Sequence, residues 1–221
     1  MRRSFLVACA VLALAGCDKS EVKPTDDPAA KGRSEAVRAT GAQAATQAPT
    51  ATHAAIAPKT PRKICDVAPA AAGRPLPTQK LDHREAPGAA PLADRLATSG
   101  KWTWVNLWAA WCGPCKEEIP RLKAWEQKLG GAMSVAFVSL DDDERQMTKF
   151  LESQPSSGLR TSYWLPEGKA RSGFLAELKL KADPQLPLQL LVDPQGTLRC
   201  VIDGAVDDLD FAQVQALVAK R

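Results

Sequence analysis

Beyond residue 100 the chain alternates short, continuous apolar runs with longer stretches in which apolar residues recur every three or four positions. The first run, Trp102-Thr103-Trp104-Val105-Asn106-Leu107-Trp108, is dense in aromatic and branched residues and predicts a buried strand. From Lys116 to Leu129, the residues Ile119, Leu122, Trp125 and Leu129 fall on one helical stripe, with Gly130-Gly131 as the stop signal. Pro120 lies inside that helix and should bend it. Met133 to Leu140 is a second continuous apolar strand. Asp141-Asp142-Asp143-Glu144 then offers a cap and an acidic first turn to a helix whose stripe is Met147, Phe150 and Leu151. Thr161 to Leu165 predicts a short strand, Pro166-Glu167-Gly168 a turn, and Ala170 to Leu180 a further helix. Leu188 to Asp193 and Thr197 to Ile202, joined at Pro194-Gln195-Gly196, predict a hairpin. Asp207 to Lys220 closes the chain as a helix with Leu209, Val214, Leu217 and Val218 on its apolar face. This order implies an α/β fold, a three-layer α/β/α sandwich with a mixed sheet and no internal repeat.

Residues 65–100 carry a weaker pattern. Leu76 to Leu81 suggests a short strand. Pro87, Gly88 and Pro91 break the chain before Leu92 to Leu96, which reads as a short helix or turn ending at Ser99-Gly100. Further upstream the pattern changes character. Met1-Arg2-Arg3 precedes an apolar run from Phe5 to Ala15, which is too short to span a bilayer and reads as a signal peptide. Leu14-Ala15-Gly16-Cys17 resembles a bacterial lipobox, implying cleavage after residue 16 and lipid attachment at Cys17. Buried acyl chains, at about 0.8 kcal/mol per methylene, would hold the protein to a membrane surface. Asp18 beside the anchor resembles an inner-membrane retention signal. From Asp18 to about Arg62 the chain is rich in Ala, Thr, Pro, Gln and Lys, too polar to offset the entropy of ordering. A coil of about 45 residues reaches roughly 35–40 Å. The expected organisation is therefore a signal peptide over residues 1–16, a tether over 17–62 and a folded domain over 63–221.

Composition narrows the chemistry. The 221 residues carry a formal net charge of +4 with acids and bases interleaved, which gives no sign of nucleic-acid binding. His53 and His83 lack partners at metal-ligand spacing and read as surface residues, so no metal and no cofactor are expected. The six cysteines are Cys9, Cys17, Cys65, Cys112, Cys115 and Cys200. Cys112-Gly113-Pro114-Cys115 stands where the first long strand meets the first helix. Cys112 falls at the mouth of that helix, where free amides and the helix dipole favour an anion and ease ionisation of its thiol. Cys115, one turn on, can close a small disulfide ring. An exposed, easily ionised thiol beside a shielded one is what thiol–disulfide exchange requires.

Trp111-Cys112-Gly113-Pro114-Cys115 resembles the thioredoxin active site. The longer run from Val105 to Pro120 resembles the TlpA/ResA-type branch, the membrane-tethered extracytoplasmic thioredoxins, over about residues 75–221. The resemblance implies a thioredoxin-like fold, with a strand hairpin within residues 65–100 and the Ala170–Leu180 helix as an insertion. It also implies a cis-proline at Pro187, presenting the Leu186 backbone to an extended substrate, with Trp111 beside the cysteines. Leu188 and Gln185 depart from the family's usual Thr and Gly, which bears on substrate choice. Glu118 matches a glutamate of this branch that could take the proton of Cys115; its plain alternative is a first-turn acid complementing the helix dipole, as for Glu117. Asn106 and Phe137 stand where thioredoxin has its buried Asp and partner Lys, so that relay is absent.

The implied activity is a protein-disulfide reductase of the cell envelope, facing the periplasm from the inner membrane. It would be a monomer fed by a membrane thiol donor, with apocytochrome c or copper-site cysteines as family substrates. Once Cys9 is cleaved off, Cys17 lipidated and Cys112 paired with Cys115, an even remainder suggests a Cys65–Cys200 structural bridge. The alternatives are an oxidase or isomerase on the same fold, and a Cu(I)-binding metallochaperone. Reduction potential separates the first, and a copper titration beside insulin reduction separates the second.

Overall fold

The computed structural model describes residues 62–64, 73–96, 98 and 100–219. The expected signal peptide, the lipidation site Cys17, nearly all of the tether, His53 and Cys65 lie outside the described residues. Among the described residues, no helix is long and apolar enough to cross a membrane.

Strand β1 is Arg74–Pro75, β2 Asp82–Glu85 and β3 Trp102–Trp108, followed by helix α1 Gly113–Leu129. Then come β4 Met133–Ser139, α2 Glu144–Ser153, β5 Thr161–Trp164 and α3 Lys169–Glu177. The chain ends with β6 Leu188–Val192, β7 Thr197–Asp203, a 3₁₀ turn Asp208–Asp210 and α4 Phe211–Val218. The strands form one mixed sheet in the order β1-β7-β6-β3-β4-β5-β2. β3 pairs in parallel with β4 and antiparallel with β6, which puts it at the centre.

Every residue of β3 and β6 is buried. That explains why these strands read as continuous apolar runs and not as an alternating pattern: both faces are covered. Trp104 and Trp108 enter one core with Ile119, Leu122 and Trp125 of α1, Met147 and Leu151 of α2, and Val214 and Val218 of α4. Val105 and Leu107 enter the other, against Phe174 and Leu175 of α3. The sandwich is therefore unequal, with three helices on one face and α3 on the other. Parallel crossovers β3–α1–β4 and β4–α2–β5 of one hand put α1 and α2 on the same side. Gly130, at φ 50°, terminates α1 in the left-handed conformation that favours glycine. Pro120 is accommodated within the uninterrupted helix.

Several expectations are corrected. The Leu76–Leu81 segment is not a strand; its two leucines are buried as plugs of the second core while the chain between them is irregular. β1 and β2 form no hairpin, because they sit at opposite edges of the sheet, paired with β7 and β5. Leu92 to Leu96 contains only a bend at Asp94-Arg95, whose Asp94 carbonyl accepts the distant Leu81 amide at 2.8 Å in place of a helical or turn bond. In the C-terminal segment the apolar face excludes Leu209, which is 43% exposed. A capping box between Asp207 and Asp210 makes Asp208–Asp210 a tight 3₁₀ turn, so Leu209 rotates off the α4 stripe. His83 lies in β2, half-buried between Glu85 and Asp94 on opposite ring nitrogens, an imidazole sandwiched by carboxylates that do not converge on one point.

Candidate functional site

The site grows from the carboxyl end of β3. The chain leaves the sheet at Trp108, turns through Ala109-Ala110-Trp111 and re-enters structure at Cys112, the N-cap of α1. The Cys112 amide donates to the Ala109 carbonyl at 3.0 Å, closing the turn. Cys112 Sγ accepts the Cys115 amide at 3.2 Å, so the sulfur stands among the unpaired first-turn amides of the helix. Pro114 occupies the first turn, where its missing N–H costs nothing. Cys112 and Cys115 form a disulfide with Cα atoms 5.3 Å apart. Cys115 is fully enclosed, as its spacing implied. Cys112 is not exposed in this oxidised form: only 4% of it is accessible, and it belongs to the buried cluster that holds Trp108, Cys115 and Ile119. Trp111 is the exposed member, at 63%.

Beneath the bridge, one helical turn after Cys115, lies Glu118, with no accessible surface. Its Oε1 accepts from Asn106 Nδ2 at 2.7 Å and Gln189 Nε2 at 2.8 Å, and its Oε2 accepts from the Val206 amide at 3.0 Å. Gln189 Oε1 in turn accepts from Trp104 Nε1 and Asn106 Nδ2, both at 2.8 Å. Burial pushes the Glu118 carboxyl above the usual glutamate value, against the pull of these donors and of the nearby Arg121 guanidinium. A surface acid complementing the helix dipole would be solvated, and this one is not. Glu117, next to it, is exposed.

A second buried carboxylate holds the turn from the other side. Asp141 accepts the Ala110 amide at 3.1 and 2.9 Å through its two oxygens, and the Ser139 hydroxyl at 2.7 Å. Burial raises its carboxyl too. Of the acidic run 141–144, only Asp143 caps α2, through the Arg145 amide, while Asp142 pairs with Arg171 at 2.6 Å. Sequence reasoning gave this run one capping role and missed Asp141; the signal was a carboxylate at the very end of an apolar strand. It missed Gln189 as well, a lone polar residue inside Leu188–Val192.

The Leu186–Pro187 peptide is cis. Leu188 faces Leu107 in the β6–β3 register, so Pro187 lies beside the end of β3 from which the cysteine turn departs. Leu186 is half-buried and Pro187 buried. Cys200 is buried in β7 and disulfide-bonded, and Cys65, its expected partner, lies outside the described residues. Among the described residues, no group of three or more His, Cys, Asp or Glu is placed to hold a metal ion.

The chain is similar to known thiol–disulfide proteins. It is 33% identical over 87 residues to the thiol:disulfide interchange protein HelX of Rhodobacter capsulatus, covering 39% of this chain and 47% of that protein. Over 55 residues it is 42% identical to the thiol-disulfide oxidoreductase ResA of Oceanobacillus iheyensis, covering 24% of this chain and 28% of the relative. The chain thus spans less than half the length of these curated relatives. Its fold matches the crystal structure of the thiol:disulfide interchange protein DsbE from Chlorobium tepidum, at 25% identity and a TM-score of 0.50, over 66% of this chain and 96% of that one. Residues 72–206, well over half of the sequence, match the model of the AhpC/TSA family. A thioredoxin-like sheet carrying the Cys112–Cys115 disulfide at the head of α1 and a family match of that extent lead to one conclusion: the chain belongs to the AhpC/TSA family.

Proposed function

We propose that this domain is a thiol:disulfide oxidoreductase of the cell envelope that reduces protein disulfides. The observation that carries the reading is the Cys112–Cys115 bridge at the head of α1 with a buried, hydrogen-bonded carboxylate one turn below it. In the reduced protein, Cys112 is the thiolate, stabilised by the α1 amides. It attacks one sulfur of a substrate disulfide; that S–S bond breaks, a mixed disulfide forms and the other substrate sulfur leaves as a thiolate. Cys115 then loses its proton to Glu118 and attacks Cys112 Sγ, expelling the second substrate sulfur. Two electrons pass from the dithiol to the substrate, leaving the Cys112–Cys115 disulfide. The raised carboxyl makes Glu118 a stronger base than an exposed glutamate. The Leu186–Pro187 segment, beside the end of β3, offers the edge along which an extended substrate adds.

The remaining features of the proposal extend outward from the domain. Cys17 carries the lipid, residues 17–62 form the tether and a membrane thiol carrier returns electrons to the oxidised bridge. Cys65 pairs with Cys200 to fasten the start of the domain to β7. The similarity to interchange proteins supports the chemistry, and the Gly113-Pro114 spacer, like that of reducing thioredoxins, supports the direction. A Cys115→Ser variant tests the mechanism. It should accumulate Cys112-linked mixed disulfides with a disulfide peptide, visible as a mass adduct; a variant that turns over without adduct would overturn the assigned order of attack.

A further inference from the structure

Two adjoining hollows open on the α1–α2 flank of the cysteine turn. One, of about 310 Å³, runs from Trp111 to Lys149 and Phe150. The other, of about 340 Å³, runs from Phe150 along α1 past Lys116 and Lys123. They share Phe150, whose ring packs 5.0 Å from that of Trp108, so the floor of this trough is fixed to the central strand. Its chemistry is one-sided: three lysines line it and no carboxylate does. Lys116 and Lys123 are seven residues apart on α1 and so share a face. Among the described residues, none of Lys116, Lys123 and Lys149 has an ion-pair partner, whereas Lys80, Arg84, Arg121, Arg145 and Arg171 each do. Trp111 adds a large exposed aromatic surface at the mouth. Trp is among the residue types enriched where partners bind most tightly.

We propose that this trough seats the substrate polypeptide on one side of the attacked cysteine and selects stretches that carry carboxylates. The proposal rests on the oxidoreductase reading. Pro187 directly precedes β6 and the trough lies beyond β3 towards β4, so the two contact regions flank the cysteine turn on opposite sides. Along α1, Lys116 is about 6 Å and Lys123 about 16 Å from the Cys112 level, at 1.5 Å per residue. An extended chain covers those distances in about two and five residues. Acidic side chains two to five residues from the substrate cysteine would therefore meet the lysines.

The test uses three peptides of equal length, each holding a disulfide, with Glu, Gln or Lys at the positions two to five residues from the cysteine. Reduction by the dithiol form of the full chain is followed at low ionic strength. The Glu peptide should be reduced with a kcat/KM about tenfold above that of the Lys peptide, the scale of a few exposed ion pairs. The ratio should fall towards one in a Lys116→Gln/Lys123→Gln/Lys149→Gln variant, and likewise in wild type at 1 M salt, where the screening length is about 3 Å. Taking the ratio cancels any common change in Cys112 reactivity caused by losing Lys116. Equal rates for the Glu and Lys peptides in wild type, or a preference that survives in the triple variant, would overturn the trough while leaving the oxidoreductase intact. Failure to reduce all three peptides would overturn the oxidoreductase reading and the trough with it.

Discussion

At the scale of single residues the site is decided by what surrounds Glu118. Its three donors, the Asn106 and Gln189 side chains and the Val206 amide, keep the anion attainable in a place where burial opposes it. Removing the carboxylate and removing a donor therefore have different signatures. Glu118→Gln should slow release of substrate from the mixed disulfide by about 10²-fold or more, the usual range for a positioned proton acceptor, with little change in the first attack. Gln189→Leu withdraws a donor that lowers the Glu118 pKa, so that pKa rises and the acid limb of the rate–pH profile moves to higher pH. Stopped-flow measurement of both steps from pH 5 to 8 checks this. A Gln189→Leu profile that merely scales down, without moving along the pH axis, would reduce Gln189 to a packing residue. Both polar strand residues, Asn106 and Gln189, stood out in sequence as exceptions within apolar runs. That they meet each other and Glu118 was not legible, since the meeting depends on the Asn106–Gln189 register of β3 and β6.

At the scale of elements, β3 and α1 were readable to within a few residues because both of their signals are local: a fully apolar run, and a stripe closed by glycine. The turn between them was readable as a motif but not as a held object. It is held by β4, whose last residues bring Asp141 to the Ala110 amide and Ser139 to Asp141. Asp141→Ala leaves the part-buried Ala110 amide without this acceptor, at a cost of about 1 kcal/mol, the low end for an unmade buried hydrogen bond. Urea unfolding of the oxidised protein should show that loss. Asp141→Asn, which keeps one acceptor for the amide, should lose less; equal losses would mean that the hydrogen bond to Ala110 is not what Asp141 contributes. The edge strands failed to register for the opposite reason. β1 and β2 are two and four residues long, and their partners β7 and β5 lie far along the chain.

At the scale of the molecule, two populations of carboxylates make stability depend on pH in opposite senses. Hydrogen bonds from Lys80, Arg145 and Arg84 hold the exposed Asp94, Asp143 and Glu144 below their ordinary values, so their contribution is present above about pH 4 and lost as pH falls. Burial holds Glu118 and Asp141 above theirs, 4.5 and 3.8, so the folded protein binds more protons there than the unfolded chain, and stability drains away as pH rises through the folded values. A Glu118→Gln/Asp141→Asn variant should therefore gain on wild type, in unfolding free energy, as pH rises from 4 to 7, whatever its offset at pH 4. Parallel urea-unfolding curves across that range would show the two carboxyls to be unshifted. By itself the sequence determined the central strand and helix, the order of elements, the dithiol and its place at a helix mouth, because each is written in neighbouring residues whose apolar spacing or cap chemistry acts over one or two turns. Only the tertiary structure decided that Glu118 is buried, that Asp141 reaches back to the cysteine turn, that Cys112 is covered in the oxidised form and that three lysines with no ion-pair partner among the described residues line one trough on its flank. Each of those depends on chains distant in sequence packing side by side, which no local pattern encodes.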